Sequence, residues 1–179
     1  MKKSAAVVMG LLLLPLAGVV PPAEATGGGA CTITGTITFS NVHSTRGTWT
    51  IDPAVITCQG LYNGYERFTN PGTFSGTGSY TALPTRSGTC LHHVGSGTVD
   101  YTFSTSGSDI HLVEPQSYAL AGAGAFATPS LRGTFQVTPP YDGDCVTKPV
   151  TRALFVAEAT LVRFHPPDKD RYIPKLPKA

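Results

Sequence analysis

Residues 31–39, Cys-Thr-Ile-Thr-Gly-Thr-Ile-Thr-Phe, carry threonine at every second position and Ile33, Ile37 and Phe39 on the opposite parity. A period of two with one apolar face predicts a half-buried β-strand. The same alternation recurs along the chain. Residues 48–51 and 54–58 read as one strand, broken or bulged near Pro53. Residues 73–80 place Phe74, Gly76, Gly78 and Tyr80 on one face, and residues 96–105 place Val99, Tyr101 and Phe103 inward. Residues 110–113 read as a short strand that ends at Pro115, and 118–127 as one strand despite its alanines, because two glycines would cost a helix about 1 kcal/mol each. Residues 131–138 form a further strand. Residues 153–164 form the longest, apolar on both faces and so expected to be covered on both sides. Residues 59–72, rich in Asn, Gly and aromatics, read as a loop.

This pattern predicts an all-β fold of about seven to nine strands, a single antiparallel β-barrel or, as the alternative, a β-sandwich. Glycines inside the strands favour the barrel, where tight curvature needs them.

The N-terminus follows another rule. Lys2 and Lys3 precede an apolar run from Ala5 to Val20, and Ala23-Glu24-Ala25 offers small residues two apart. This is the layout of an export signal cut between Ala25 and Thr26. The run is too short, and too interrupted by Gly10, Pro15 and Gly18, for a membrane anchor. The expected organisation is a signal peptide over 1–25, a secreted β-domain over 26–165, and a Pro-rich, weakly basic tail over 166–179 that frays or runs along the surface. No membrane span is expected in the mature chain, and the expected location is extracellular.

Composition narrows the picture further. Losing Lys2, Lys3 and Glu24 lowers the net charge from +2 to +1, too little to draw the chain to nucleic acid. Charged residues make up 13%, about half the usual ~25%, and Thr, Ser and Gly fill the surface instead. Four cysteines in an exported chain point to two disulfides. If the first two strands are antiparallel neighbours, Cys31 meets Cys58, which leaves Cys90 for Cys145. Each bridge would stabilise the fold by roughly 3–4 kcal/mol.

The chain resembles small exported actinobacterial β-rich proteins of unassigned function. The residues that carry the resemblance are 31–39, Gly72-Thr-Phe-Ser-Gly-Thr-Gly-Ser79 and Cys145-Val-Thr-Lys-Pro-Val-Thr-Arg152. The resemblance implies secretion and disulfides, and no catalytic residues.

The candidate chemistry is sparse. His92-His93 could ligate a metal, but adjacent strand residues face opposite ways, and no HxH or HExxH spacing accompanies them. No Gly-x-Ser-x-Gly elbow stands in a strand-turn-helix frame. Asp142 and Asp144 read as turn residues. Trp49, Tyr62 and Tyr65 could stack on a ligand, against their plainer use in packing. The leading expectation is a non-enzymatic exported domain of the envelope or extracellular space, without a cofactor, that binds a ligand or surface component. The alternatives are a purely structural or interaction module and an enzyme with an unrecognised loop site.

Overall fold

The computed structural model describes residues 28–40, 45–83, 92–121, 123–144, 148–162 and 172–174. The predicted export signal, its cut at Ala25 and Thr26, and the predicted Cys90–Cys145 bridge lie outside the described residues.

Alternation sets the fold. The strands are β1 (Ala30–Phe39), β2 (Arg46–Gln59), β3 (Leu61–Tyr62), β4 (Glu66–Ala82), β5 (His92–Thr105), β6 (Ser108–Ala121), β7 (Ala123–Ala127), β8 (Leu131–Thr138), β9 (Arg152–Leu161) and β10 (Tyr172–Pro174). Eight of these described strands pair antiparallel in the order β1-β2-β4-β5-β6-β7-β8-β9, and β9 returns to β1, which closes the barrel. Closure removes the open edges that a sandwich would keep. Inward residues are mostly apolar and outward ones mostly polar, as β1 illustrates, with Cys31, Ile33, Ile37 and Phe39 buried and Thr32 and Thr34 exposed. That is the inverse of a membrane barrel, whose apolar face turns to lipid. No helix among the described residues is long and apolar enough to cross a membrane.

Cys31 lies opposite Cys58 in the β1–β2 ladder, and the two form a disulfide. The β2–β4 register shifts between Ile51 and Ala54, so the break at Pro53 is a bulge within one strand.

Three strand readings are corrected. Residues 118–127 form a hairpin, with Ala121 opposite Ala123 and Tyr118 opposite Phe126. Reversal about position 122 keeps parity, so both arms show the same alternation and the sequence hides the turn. The strand expected to stop at Pro115 runs on to Ala121, and Pro115 faces Thr98 of β5. On the other side of β6, β10 covers residues 108–110 and β7 covers 117–121, so among the described residues Pro115 lies on a stretch with one ladder neighbour, where a missing N–H is tolerated. The strand expected to be the longest, β9, is shorter than β4 and covered on one face only, with Leu154 and Val156 exposed.

Residues 59–72 hold more structure than a loop. Asn63 and Gly64 both have positive φ, and they turn β3 into β4. This is the Asn-Gly hairpin signature. Residues 172–174, in the predicted tail, add a short strand to β6.

Candidate ligand site inside the barrel

The interior is crowded with aromatic rings, and strand glycines make room for them. Trp49 points inward from β2 and is 2% exposed. Its indole lies against Gly76 and Gly78 of β4 and Gly97 of β5. A Cβ at Gly78 would come within 2.6 Å of the indole Cε2 and Cζ2, and one at Gly97 within 2.7 Å of Cζ2. Real carbon contacts do not approach so closely. The Gly76-Thr77-Gly78 alternation therefore clears a seat for one ring, a role beyond curvature. Gly95 does the same for Tyr118, whose Cζ a Cβ would meet at 2.5 Å. Tyr118 meets Trp49 edge to face, with centroids 5.8 Å apart.

Beside these rings lies a cavity in which a water-sized sphere can place its centre through about 30 Å³. A water molecule needs roughly 10–15 Å³ on that measure, so there is room for about two. Ile33, Ile37, Ile51, Phe74, Phe126, Phe135 and Phe155 supply hydrocarbon lining. Among the described residues the polar lining is confined to Trp49, Gln116 and Tyr118, and no acidic or basic side chain reaches it.

The Tyr118 hydroxyl is satisfied. It shares a 3.0 Å hydrogen bond with His93 Nδ1, whose donor depends on the imidazole tautomer. The other two polar groups are not. Trp49 Nε1 and Gln116 Oε1 are both buried, and neither has a hydrogen-bond partner among the described residues. Burying such a group unpaired costs about 1–3 kcal/mol. One is a donor and the other an acceptor, and both line the same cavity. Gln116 itself is partly exposed and is the last inward residue of β6 before its ladder with β7 begins at Ser117.

His93 closes one side of this aromatic group. It is 2% exposed, with ring centroids at 5.1 Å from Phe39, 4.8 Å from Tyr80 and 5.5 Å from Tyr118. Burial, helped by the nearby charge of His92, lowers its pKa to about 4, so the imidazole is neutral at pH 7. Burial likewise raises the Tyr118 and Tyr80 hydroxyls above the ordinary phenol range. His92 faces the other way, so the pair does not converge. Among the described residues no group of three or more His, Cys, Asp or Glu is placed to hold a metal ion.

Two buried carboxylates serve the scaffold. Glu114 Oε2 accepts from the Tyr101 hydroxyl at 2.7 Å, the Thr128 hydroxyl at 2.7 Å and the Ser130 amide at 3.1 Å, and Oε1 accepts from the Ser130 hydroxyl at 2.5 Å. Burial first, and then the Glu114 carboxylate, push the Tyr101 hydroxyl far above the usual phenol range. Glu66 accepts from the Thr105 hydroxyl and, at 3.3 Å, from that of Ser108. Asp142 accepts from the amides of Thr151 and Arg152, both at 2.8 Å, and Asp144 from the amide of Lys148 at 2.9 Å, so Asp142 ties the loop to the start of β9 across more of the chain than a local turn spans.

The three aromatic candidates do not form one site. Trp49 lines the internal cavity. Tyr62 packs on Phe68 and Phe103, and Phe103 lies six residues along β5 from the Gly97 under Trp49. Tyr65 sits in the β3–β4 turn, 70% exposed. The residues that accompany Trp49 are Gln116, Tyr118, Phe126 and Phe135. A polar Gln on the inward parity of β6 was the available signal, and ending that strand at Pro115 concealed it.

No family model matches the chain, and no curated protein or solved structure matches it.

Proposed function

We propose that this chain is an exported, non-enzymatic β-barrel that binds a small molecule in its interior and acts in the extracellular space or at the cell envelope. The observation that carries the reading is the pairing of Trp49 Nε1 with Gln116 Oε1, an unpartnered buried donor and acceptor lining one apolar cavity. Apolar walls with a few placed polar groups are what small-molecule sites are built from. Eight-stranded barrels have an interior of a size to be filled by side chains or to hold one small ligand. Export is supported by the leader-like N-terminus and by the Cys31–Cys58 disulfide, since such bonds persist in oxidising compartments. The non-enzymatic part rests on His93 and Glu114, both enclosed by partners that fix them in structural roles.

The test is native mass spectrometry of the protein collected from an exporting host, followed by addition of a small-molecule extract of the growth medium. The expected result is a chain that starts at Thr26 and carries a non-covalent adduct that is lost on denaturation. Equal native and denatured masses, before and after the extract, would contradict ligand binding. A chain that keeps residues 1–25 would contradict the leader. The small size of the cavity favours a second reading, a purely structural module, and that is the reading left if no adduct forms.

A further inference from the structure

The chemistry of the cavity also restricts what it would take, if the ligand-binding reading above holds. Trp49 Nε1–H can only donate, so it calls for an acceptor. Gln116 Oε1 can only accept, so it calls for a donor. Every other lining group is hydrocarbon except the Tyr118 hydroxyl, which His93 already engages. Among the described residues no charged side chain faces the space, and an ion there would lose its hydration without a counter-charge.

We propose that the ligand is a small neutral molecule with an apolar body and one edge that both accepts and donates a hydrogen bond, as a carboxamide does. Its carbonyl oxygen accepts from Trp49 Nε1, and its N–H donates to Gln116 Oε1. The apolar body lies among the phenylalanines. Entry is at the seam beside Gln116. There, among the described residues, β6 has a ladder neighbour on one side only over residues 111–116, and Gln116 bridges solvent and interior. The cavity at rest admits about two water-sized bodies, so a larger apolar body enters only as the rings of the β7–β8 hairpin, Phe126 and Phe135, give way.

The experiment titrates the full exported chain with four probes: acetamide, benzamide, toluene and benzoate. The fluorescence of Trp49, the single tryptophan of the sequence, is the readout. Saturable binding of acetamide or benzamide is expected, at least tenfold tighter than toluene or benzoate. Gln116→Met keeps the length of the side chain and removes its acceptor. It is expected to weaken amide binding at least tenfold and to leave toluene binding unchanged. Toluene binding as tightly as benzamide would overturn the donor-acceptor edge and leave the barrel as an apolar binder. Tighter benzoate would overturn neutrality alone. No saturable response from any probe, with the cavity occupied by water only, would overturn this inference and the binding reading together. The wild-type series decides the matter even if the variant does not fold.

Discussion

The carboxylate of Glu114 takes both polar groups of Ser130, the amide on Oε2 at 3.1 Å and the hydroxyl on Oε1 at 2.5 Å. Glu114 stands on β6 just before the β6–β7 ladder begins, and Ser130 belongs to the turn between β7 and β8. One side chain thus fastens the short hairpin to the stretch of β6 that it does not reach by backbone pairing. Glu114, Ser130, Thr128 and Tyr101 are all buried, so no water can replace the carboxylate. Glu114→Ala is expected to cost about 3–5 kcal/mol, because four donors lose their acceptor together. Glu114→Gln keeps one carbonyl and is expected to cost less. Urea denaturation midpoints of the two variants check the order.

His93 makes stability depend on acid. Its folded pKa of about 4 lies below the unfolded value near 6.5, so protons bind the unfolded chain more readily. Its contribution is complete above about pH 6.5 and is lost as the pH falls toward 4. The loss between pH 7 and 4.5 is expected to be about 2–3 kcal/mol. His93→Phe removes this component, and the check is the difference between the two proteins' denaturation midpoints across that range. Identical slopes would contradict a buried neutral imidazole. Tyr118 touches both His93 and the cavity, so the same acidification reaches the ligand site.

The disulfide ties the first hairpin at its open end. Cys31 and Cys58 are 27 residues apart, and the chain-entropy model gives roughly 3–4 kcal/mol for a loop of that length. A Cys31→Ala, Cys58→Ala double variant is expected to lose that much stability in chemical denaturation. Trp49 should remain buried in its folded form, since the seat of the indole is built by β4 and β5.

The glycine seat can be probed by one methyl group. Gly78→Ala drives a carbon into the backbone carbonyl of Ser96 and the indole of Trp49 and is expected to cost about 3 kcal/mol, with a shift in the tryptophan emission. Gly64→Ala is the comparison. It has no neighbour within 4 Å, so its cost comes only from the left-handed backbone at φ 85°, about 1 kcal/mol, without a change in the emission.

Much of this architecture was legible along the chain. The period-two pattern of residues 31–39 and 96–105 exposes their inward faces, and neighbouring antiparallel strands place Cys31 opposite Cys58. The missed features have separate causes. Pro115 reads as a stop unless the short reach of β7 is known. The 118–127 hairpin is invisible because its two arms keep the same parity. Gly76, Gly78 and Gly97 read as curvature until the indole from β2 is placed over them. Gln116 becomes a site residue only when Trp49, 67 positions earlier in the sequence, lines the same space.

The central claim is that the Trp49 indole N–H is held for a ligand. A single tryptophan gives a single indole resonance in a 15N-correlated proton spectrum, so that N–H can be watched alone. The account expects this resonance to be shielded from solvent exchange in the free protein and to move downfield, saturably, as benzamide is added, with the midpoint of the movement at least tenfold higher in Gln116→Met. An indole signal that exchanges freely with water, or that stays in place at saturating concentrations of both amide probes, would contradict it.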